Sequence, residues 1–172
     1  IDFATAYAQT PDDYFEKGLK LHDSLRHDPL LSTAFAPHAP YSVSDGPLAR
    51  IRTVNNELNL PVHMHLHETA HEVGEAVAKT GMRPLARLNA LDLLGPTLMA
   101  VHMTQLNPEE IARLAEAGVS VVHCPESNLK LASGFCPVQA LLKAGVNVAL
   151  GTDGAASNND LDLLGELRTA AL

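Results

Sequence analysis

Imidazole side chains recur at every second position in one short stretch of this chain. Residues 61–69 read Pro-Val-His-Met-His-Leu-His-Glu-Thr, so His63, His65 and His67 lead directly into Glu68. Successive side chains of a β-strand point to opposite faces, and three alternate histidines would therefore share one face. Imidazoles beside a carboxylate bind divalent metals or transfer protons. We therefore expect a metal site or a proton-transfer site at this strand.

A distant aspartate is expected to join the histidine strand. Asp153 stands in Leu-Gly-Thr-Asp-Gly (150–154), at the end of an apolar run. A catalytic metal needs three or four nitrogen or oxygen ligands and an open position for water, and His65 with Asp153 would supply two ligands. The metal would ionise the water, Glu68 would transfer protons, and His102 would hold the water by a hydrogen bond. The sequence around Asp153 is also typical of a turn, and this alternative stays open.

Residues 67–71 match the His-Glu-x-x-His pattern of zinc proteases. That pattern works only when both histidines lie on one face of a helix. Here His67 ends an alternating strand and Thr69 is a good helix N-cap, so the two histidines would straddle a strand-to-helix turn. We predict that the match is coincidental and that His71 faces solvent.

The elements that must position these residues alternate between strands and helices. Strands are predicted at 1–8, 30–36, from 61 onward, and at 97–103, 119–125 and 146–153. A helix should follow each strand. Helix N-caps or first turns are predicted at Thr10, Ser44, Thr69 and Asn107, and helix ends at Gly81, Gly118 and Gly145. Further helical stretches are predicted in 82–94, 137–144 and 161–172. The Ser-, Asn- and Gly-rich segment before residue 137 is predicted as a loop.

Near-continuous apolar strands that alternate with helices indicate an α/β fold with a parallel sheet. An open doubly wound sheet and part of a (β/α)8 TIM barrel both fit this pattern. The positions of the potential catalytic and metal-binding side chains favour the barrel. Each lies at or just after the carboxyl end of a predicted strand, and a barrel brings these strand ends together at one face. These side chains are His38, His65, Glu68, His102, His123 and Asp153. No Gly-x-Gly-x-x-Gly follows a strand, which disfavours dinucleotide binding.

Composition narrows the classes of partner. The net charge is −8 and no Lys/Arg cluster is present, so we expect no nucleic-acid binding. No apolar run approaches the roughly 20 residues of a membrane span, and no signal peptide is visible. Two cysteines form no disulfide framework, which indicates a reducing compartment, and we expect a cytoplasmic location. The chain begins without methionine and ends in a helical pattern, so we expect an interior piece of a longer protein.

Two blocks carry a resemblance to a known family: His-Cys-Pro-Glu-Ser-Asn-Leu-Lys-Leu (123–131) and Gly-Thr-Asp-Gly-Ala-Ala-Ser-Asn-Asn (151–159). Together with Glu68 three residues after His65, and His102 at a strand end, they resemble the amidohydrolase superfamily. The resemblance is closer to its branch of 5′-methylthioadenosine/S-adenosylhomocysteine deaminases and runs through nearly the whole chain. It implies a (β/α)8 barrel that hydrolyses the 6-amino group of an adenine nucleoside. It also implies one divalent metal, with Zn²⁺ as the first expectation and Fe²⁺ as the alternative.

The resemblance also implies roles for individual residues. His65 resembles the fifth-strand metal ligand, and Asp153 the eighth-strand aspartate that binds metal and accepts the water proton. Glu68 resembles the proton-shuttling glutamate that contacts substrate, and His102 the histidine near the reacting water. His38, in Pro-His-Ala-Pro-Tyr-Ser, resembles the histidine that contacts the ribose.

On this numbering, residues 1–172 supply about strands three to eight of the barrel. The first two strands, with the family's His-x-His metal ligands, and a small β-domain then lie outside this chain. His63-Met64-His65 has the His-x-His spelling, but the glutamate three residues after His65 assigns it to the fifth strand. His63 is expected to face the barrel interior and His67 to line the pocket without binding metal, and a pocket role for His123 stays open.

The expected function is therefore hydrolytic deamination of an adenine nucleoside with release of ammonia. One alternative keeps the metal and the barrel but acts on guanine, another aminopurine or a triazine, because pocket loops set the choice of substrate. Another alternative is a non-catalytic α/β segment that holds no metal. A small nucleoside is the expected partner, and association into a homo-oligomer is left open.

Overall fold

The structure, a computed structural model, describes residues 2–172. Its sheet has four parallel strands in sequential order: β1 (Val62–Leu66), β2 (Leu98–His102), β3 (Ser120–His123) and β4 (Asn147–Leu150). Eight helices accompany them: α1 (Pro11–Leu25), α2 (Asp45–Leu58), α3 (Ala70–Thr80), α4 (Pro84–Ala90), α5 (Pro108–Ala117), α6 (Pro125–Lys130), α7 (Val138–Lys143) and α8 (Leu163–Ala170). This is the predicted alternation of strand and helix, and it fits part of a (β/α)8 barrel.

The register brings the strand ends to one edge of the sheet. Leu66 pairs with His102, and His123 pairs with Leu150, so the last residues of neighbouring strands lie side by side. In a parallel sheet all carboxyl ends share this edge. The residues that immediately follow the strands are thereby brought together.

The prediction of six strands is wrong at the amino-terminal side. Of the predicted strand 30–36, only Phe35 pairs with the sheet, through one parallel bridge to Val62. Pro37 has no N–H, so it cannot continue the ladder there. Ile1 lies outside the described residues, and the rest of the predicted first strand turns locally instead, because the hydroxyl of Thr5 accepts hydrogen bonds from the amides of Tyr7 and Ala8.

The helix boundaries follow the predicted signals. The side chains of Thr10, Thr69 and Asn107 each accept a backbone N–H in the first turn of α1, α3 and α5. Gly81 and Gly118 end α3 and α5 in the left-handed conformation. The short helix α6 is a correction, because its segment was predicted as a loop.

The core lies between one face of the sheet and the surrounding helices. Val62, Met64 and Leu66 of β1 are buried there, and they pack in one cluster with residues of the other strands and helices: Leu48, Ile51, Leu85, Leu88, Leu98, Ala100, Leu114, Val121 and Leu141. His63 and His65 alternate with the buried residues of β1 and lie on the opposite, more open face. Within residues 2–172, no helix combines the length and apolar character that crossing a membrane requires.

Candidate metal centre

Three side chains from different strands converge at the carboxyl edge of the sheet. His65 belongs to β1, His102 ends β2, and Asp153 follows β4 by three residues. Each offers one ligand atom, and these atoms all lie within 4.8 Å of one another. The rings of His65 and His102 are stacked, with centroids 5.3 Å apart. Two imidazole nitrogens and a carboxylate oxygen form a donor set that suits Zn²⁺ and similar divalent ions.

The outer contacts of the imidazoles leave nitrogen lone pairs facing this cluster. Nδ1 of His65 lies 2.9 Å from the carbonyl oxygen of His38, so Nδ1 donates and Nε2 keeps its lone pair. Such a bond to a carbonyl is the usual outer contact of a metal-binding histidine. Nε2 of His102 is buried without a hydrogen-bond partner among the described residues. An ion or an ordered water molecule would satisfy that nitrogen, and the residues present therefore fit a metal.

Glu68 stands beside the three potential ligands. Its Oε2 is 3.8 Å from Nε2 of His102, and its Oε1 accepts a hydrogen bond of 3.3 Å from the hydroxyl of Ser133. Its backbone is held on both sides, since Thr104 Oγ1 donates to the carbonyl at 2.6 Å and the amide donates to Glu72 Oε2 at 2.7 Å. A carboxylate fixed in this way can exchange protons with a molecule in the cluster.

Asp153 is held in the ionised form that binds a cation. Burial by itself would raise the pKa of Asp153, but hydrogen bonds from Ser127, Ser157 and the amide of Gly154 outweigh burial and lower it. Ser127 Oγ donates to Oδ2 at 2.6 Å, and the amide of Gly154 donates to Oδ1 at 2.7 Å. The contact with Gly154 is that of a turn former, while Oδ2 lies 3.9 Å from Nε2 of His102.

His38 lies at the exposed mouth of the cluster. Its ring is 5.1 Å from the ring of His65 and meets the ring of Tyr41 edge-on at 5.7 Å. Nδ1 of His38 is 2.8 Å from the hydroxyl of Ser42. Partial burial lowers the pKa of His38. The predicted site residues thus all lie in one region of the structure.

The expectation that three histidines share one face is wrong for His67. Its backbone has φ 52°, in the left-handed region, and this conformation turns the fully buried side chain inward. Nδ1 donates to the carbonyl of Gln105 at 3.1 Å, and Nε2 accepts from the amide of Leu85 at 3.0 Å. His71 is exposed in the first turn of α3, after the cap at Thr69. The two histidines therefore straddle the turn, as predicted, and do not form a protease clamp.

His63 and His123 are separate from the three-residue cluster. His63 is exposed on the open face of β1, where a closed barrel would have its interior. His123 is buried at the end of β3, and its Nδ1 has no hydrogen-bond partner among the described residues. Burial lowers the pKa of His123. A pocket role for His123 stays a prediction.

Sequence reasoning missed three residues that hold the site residues in place. Ser127 contacts Asp153, Asn128 contacts His102, and Ser133 contacts Glu68. All three lie within or just beyond α6 and are nearly inaccessible to solvent. The sequence feature that could have indicated Ser127 and Asn128 is the run of small polar residues directly after the apolar strand β3, within the block 123–131 that resembles the family.

A parallel α/β sheet that gathers imidazoles and carboxylates at its carboxyl edge is typical of metal-dependent hydrolases built on a (β/α)8 barrel. The model of the amidohydrolase family matches residues 8–172. The chain therefore belongs to the amidohydrolase family, which confirms the predicted fold class and family.

Individual relatives are also similar over most of the chain. Over all 172 residues it is 58% identical to a Teredinibacter turnerae protein named 5-methylthioadenosine/S-adenosylhomocysteine deaminase, and it covers 39% of that protein. A solved adenosine deaminase from Xanthomonas campestris with bound zinc is 62% identical, with a TM-score of 0.97, over 99% of this chain and 39% of that chain. A zinc complex of atrazine chlorohydrolase from Arthrobacter aurescens TC1 is 27% identical, with a TM-score of 0.90, over 99% and 38%. The chain thus spans about two fifths of the length of these relatives.

Proposed function

We propose that a longer protein containing this chain hydrolytically deaminates adenine nucleosides of the 5′-methylthioadenosine or S-adenosylhomocysteine type and releases ammonia. In this proposal, β1 to β4 of this chain are strands five to eight of the barrel, and the first two strands and a small β-domain lie elsewhere in the protein. The observation that carries the proposal is the convergence of His65, His102 and Asp153 beside Glu68. The 58% identity to a relative with a deaminase name supports the reaction and the substrate class.

His65 and Asp153 would hold one divalent metal, with Zn²⁺ as the first expectation and Fe²⁺ as the alternative. Such a metal, when bound, lowers the pKa of water toward neutrality and so supplies a nucleophile. The lone pair on Nε2 of His65 and the ionised carboxylate of Asp153 suit this role. The zinc in the Xanthomonas campestris structure supports the choice of metal.

The protein's own groups would then move the protons. Asp153 takes a proton from the attacking water, and Glu68 donates a proton to the adjacent ring nitrogen as the water oxygen bonds to the amino-bearing carbon. His102 accepts a hydrogen bond from the water and steadies the tetrahedral carbon. A proton from these groups passes to the amino nitrogen, and ammonia leaves as the ring carbonyl forms.

His38 and Glu68 would contact the substrate. His38 is exposed at the mouth of the cluster, where a ribose could reach it while the base lies deeper, against Glu68. Partial burial lowers the pKa of His38, which favours the neutral ring and suits hydrogen bonding to a hydroxyl. We infer a small nucleoside as the partner. We also infer a cytoplasmic location, since Cys124 and Cys136 are both free.

Rates of ammonia release by the longer protein test the proposal. We expect turnover of 5′-methylthioadenosine and S-adenosylhomocysteine, a lower rate with adenosine, and much lower rates with guanine and an aminotriazine. Removal of metal by a chelator should abolish turnover, and Zn²⁺ should restore it. Turnover of the aminotriazine alone would favour the alternative in which the substrate is a triazine, which the 27% identity to the atrazine chlorohydrolase motivates. Metal-free protein that turns over nucleosides at the full rate would refute the metal-dependent mechanism.

A further inference from the structure

The two ring nitrogens of His102 have different surroundings. The side chain is 1% exposed, and its Nδ1 lies 2.9 Å from Oδ1 of Asn128, which is 2% exposed. Nε2 has no hydrogen-bond partner among the described residues. It lies 3.8 Å from Oε2 of Glu68 and 3.9 Å from Oδ2 of Asp153. One nitrogen is therefore fixed by an amide, and the other faces two carboxylates.

Oδ1 of Asn128 faces Nδ1 of His102, while the buried Nδ2 of Asn128 has no hydrogen-bond partner among the described residues. An amide oxygen has lone pairs and no hydrogen, so the ring nitrogen that faces it must donate. A neutral imidazole has only one N–H, and Nε2 is left with a lone pair. That lone pair points toward two carboxylates, which repel it unless a hydrogen-bond donor or a cation lies between them. The geometry therefore prepares Nε2 to accept from a molecule in the cluster.

We propose that Asn128 is a positioning residue, which sets the tautomer of His102 so that Nε2 accepts a hydrogen bond from the reacting water. The inference rests on the proposed function, because it specifies how His102 acts in that reaction.

The short helix α6 keeps Asn128 in place. Pro125 occupies its first turn, and the amide of Asn128 donates to the carbonyl of Cys124 at 2.9 Å. The carbonyl of Asn128 accepts from the amide of Ser133 at 2.9 Å. The preceding residue, Ser127, donates to Asp153. Adjacent residues of one helix therefore hold two members of the cluster, and α6 sets their relative positions.

Neutron diffraction from deuterated crystals of the longer protein with its metal can locate the proton directly. We expect a deuteron on Nδ1 of His102 and none on Nε2, in the wild type and in Asn128→Asp, whose carboxylate also accepts. Asn128→Leu removes the acceptor while keeping a similar size. Asn128→Leu should lower kcat about 10- to 100-fold, the usual scale for the loss of a group that orients a site residue. KM should change little, and the zinc content should be unchanged. Recovery of most of kcat in Asn128→Asp would separate the acceptor role from packing.

Each outcome bears on the inference separately from the proposed function. A deuteron on Nε2 of His102 in the wild type would overturn the inference even if the protein is an active deaminase. Wild-type kcat in folded Asn128→Leu would also overturn it. If Asn128→Leu fails to fold, the wild-type neutron map and the kinetics of Asn128→Asp decide. A wild-type protein without deaminase activity would instead contradict the proposed function, and the neutron map would still decide the tautomer.

Discussion

Replacement of Glu68 by glutamine in the longer protein separates proton transfer from metal binding. Glutamine has nearly the same shape, and its Oε1 can still accept the hydrogen bond that Ser133 now donates at 3.3 Å. The backbone contacts to Thr104 and Glu72 do not involve the altered group. Glu68 is also outside the three-residue cluster, in which His65 and Asp153 are the proposed metal ligands. We therefore expect the fold and the metal content to be unchanged.

The chemical step should nevertheless be much slower in Glu68→Gln. The group that replaces Oε2, 3.8 Å from Nε2 of His102, would be an amide NH₂, which cannot act as an acid or a base near neutral pH. Loss of general acid–base catalysis typically costs about 10²- to 10⁴-fold in rate. This corresponds to an increase of about 2.7–5.4 kcal/mol in the activation free energy. KM should change less, because the residue keeps its shape.

The assay is ammonia release from 5′-methylthioadenosine at saturating substrate, with metal content measured on the same samples. Ser133→Ala is the matched control, because it keeps the carboxyl group and removes only the hydrogen bond to Oε1 of Glu68. Its loss should be smaller, about tenfold, the equivalent of roughly 1.5 kcal/mol for one hydrogen bond to a charged group. Near wild-type turnover by metal-loaded Glu68→Gln would remove Glu68 from the mechanism. Loss of the metal in that variant would make Glu68 a ligand instead.

Three further predictions follow from burial, strain and the edge of the sheet. Iodoacetamide should label Cys124 and Cys136 of the longer protein slowly at pH 8. Burial raises the pKa of each thiol to about 12, which reduces the thiolate fraction about 10³-fold. Mass spectrometry would measure the labelling, and a rate equal to that of a free thiol would contradict the prediction. Gly134→Ala should lower both the Tm and turnover. The Cβ of the new alanine would lie 2.7 Å from Nε2 of Gln105, and its backbone would have to keep φ 130°, a strain of about 1–3 kcal/mol. An unchanged Tm would contradict this prediction and show that the loop relaxes freely. This chain alone should associate with other copies, because one edge of β4 (Asn147–Leu150) has no strand partner within residues 2–172. Light scattering would measure its size. A monomer that unfolds cooperatively would count against closure of the barrel by further strands.

The parts of the fold that depend on local sequence could be predicted, and contacts between distant segments could not. Apolar runs located β1 to β4, and short-range signals such as Thr69 and Asn107 located the starts of helices. The hydrogen bond between Asn128 and His102 joins residues 26 apart, and that between Ser133 and Glu68 joins residues 65 apart. No local pattern records such a pairing. The small polar residues of α6 favour a loop in isolation, and they are helical here because tertiary partners occupy their side chains.

The backbone at the strand ends explains why alternation alone misplaced some side chains. His67, His102 and Asp153 have φ of 52°, 76° and 60°, although residues other than glycine seldom adopt the left-handed region. By alternation, His102 would join Leu98 and Ala100 in the core beneath the helices, yet its ring stacks on His65 and its Nε2 faces Asp153.

Each left-handed residue of this kind costs about 1–3 kcal/mol, and such strain persists only where surrounding contacts hold it. At His102 the holding contact is the amide of Asn128, and at Asp153 it is the hydroxyl of Ser127. The same contacts therefore turn these side chains into the cluster and set their hydrogen-bonding states. Histidine and aspartate are also among the residues that tolerate the left-handed region best, so the residue types required by the chemistry suit the strand-end backbone that presents them.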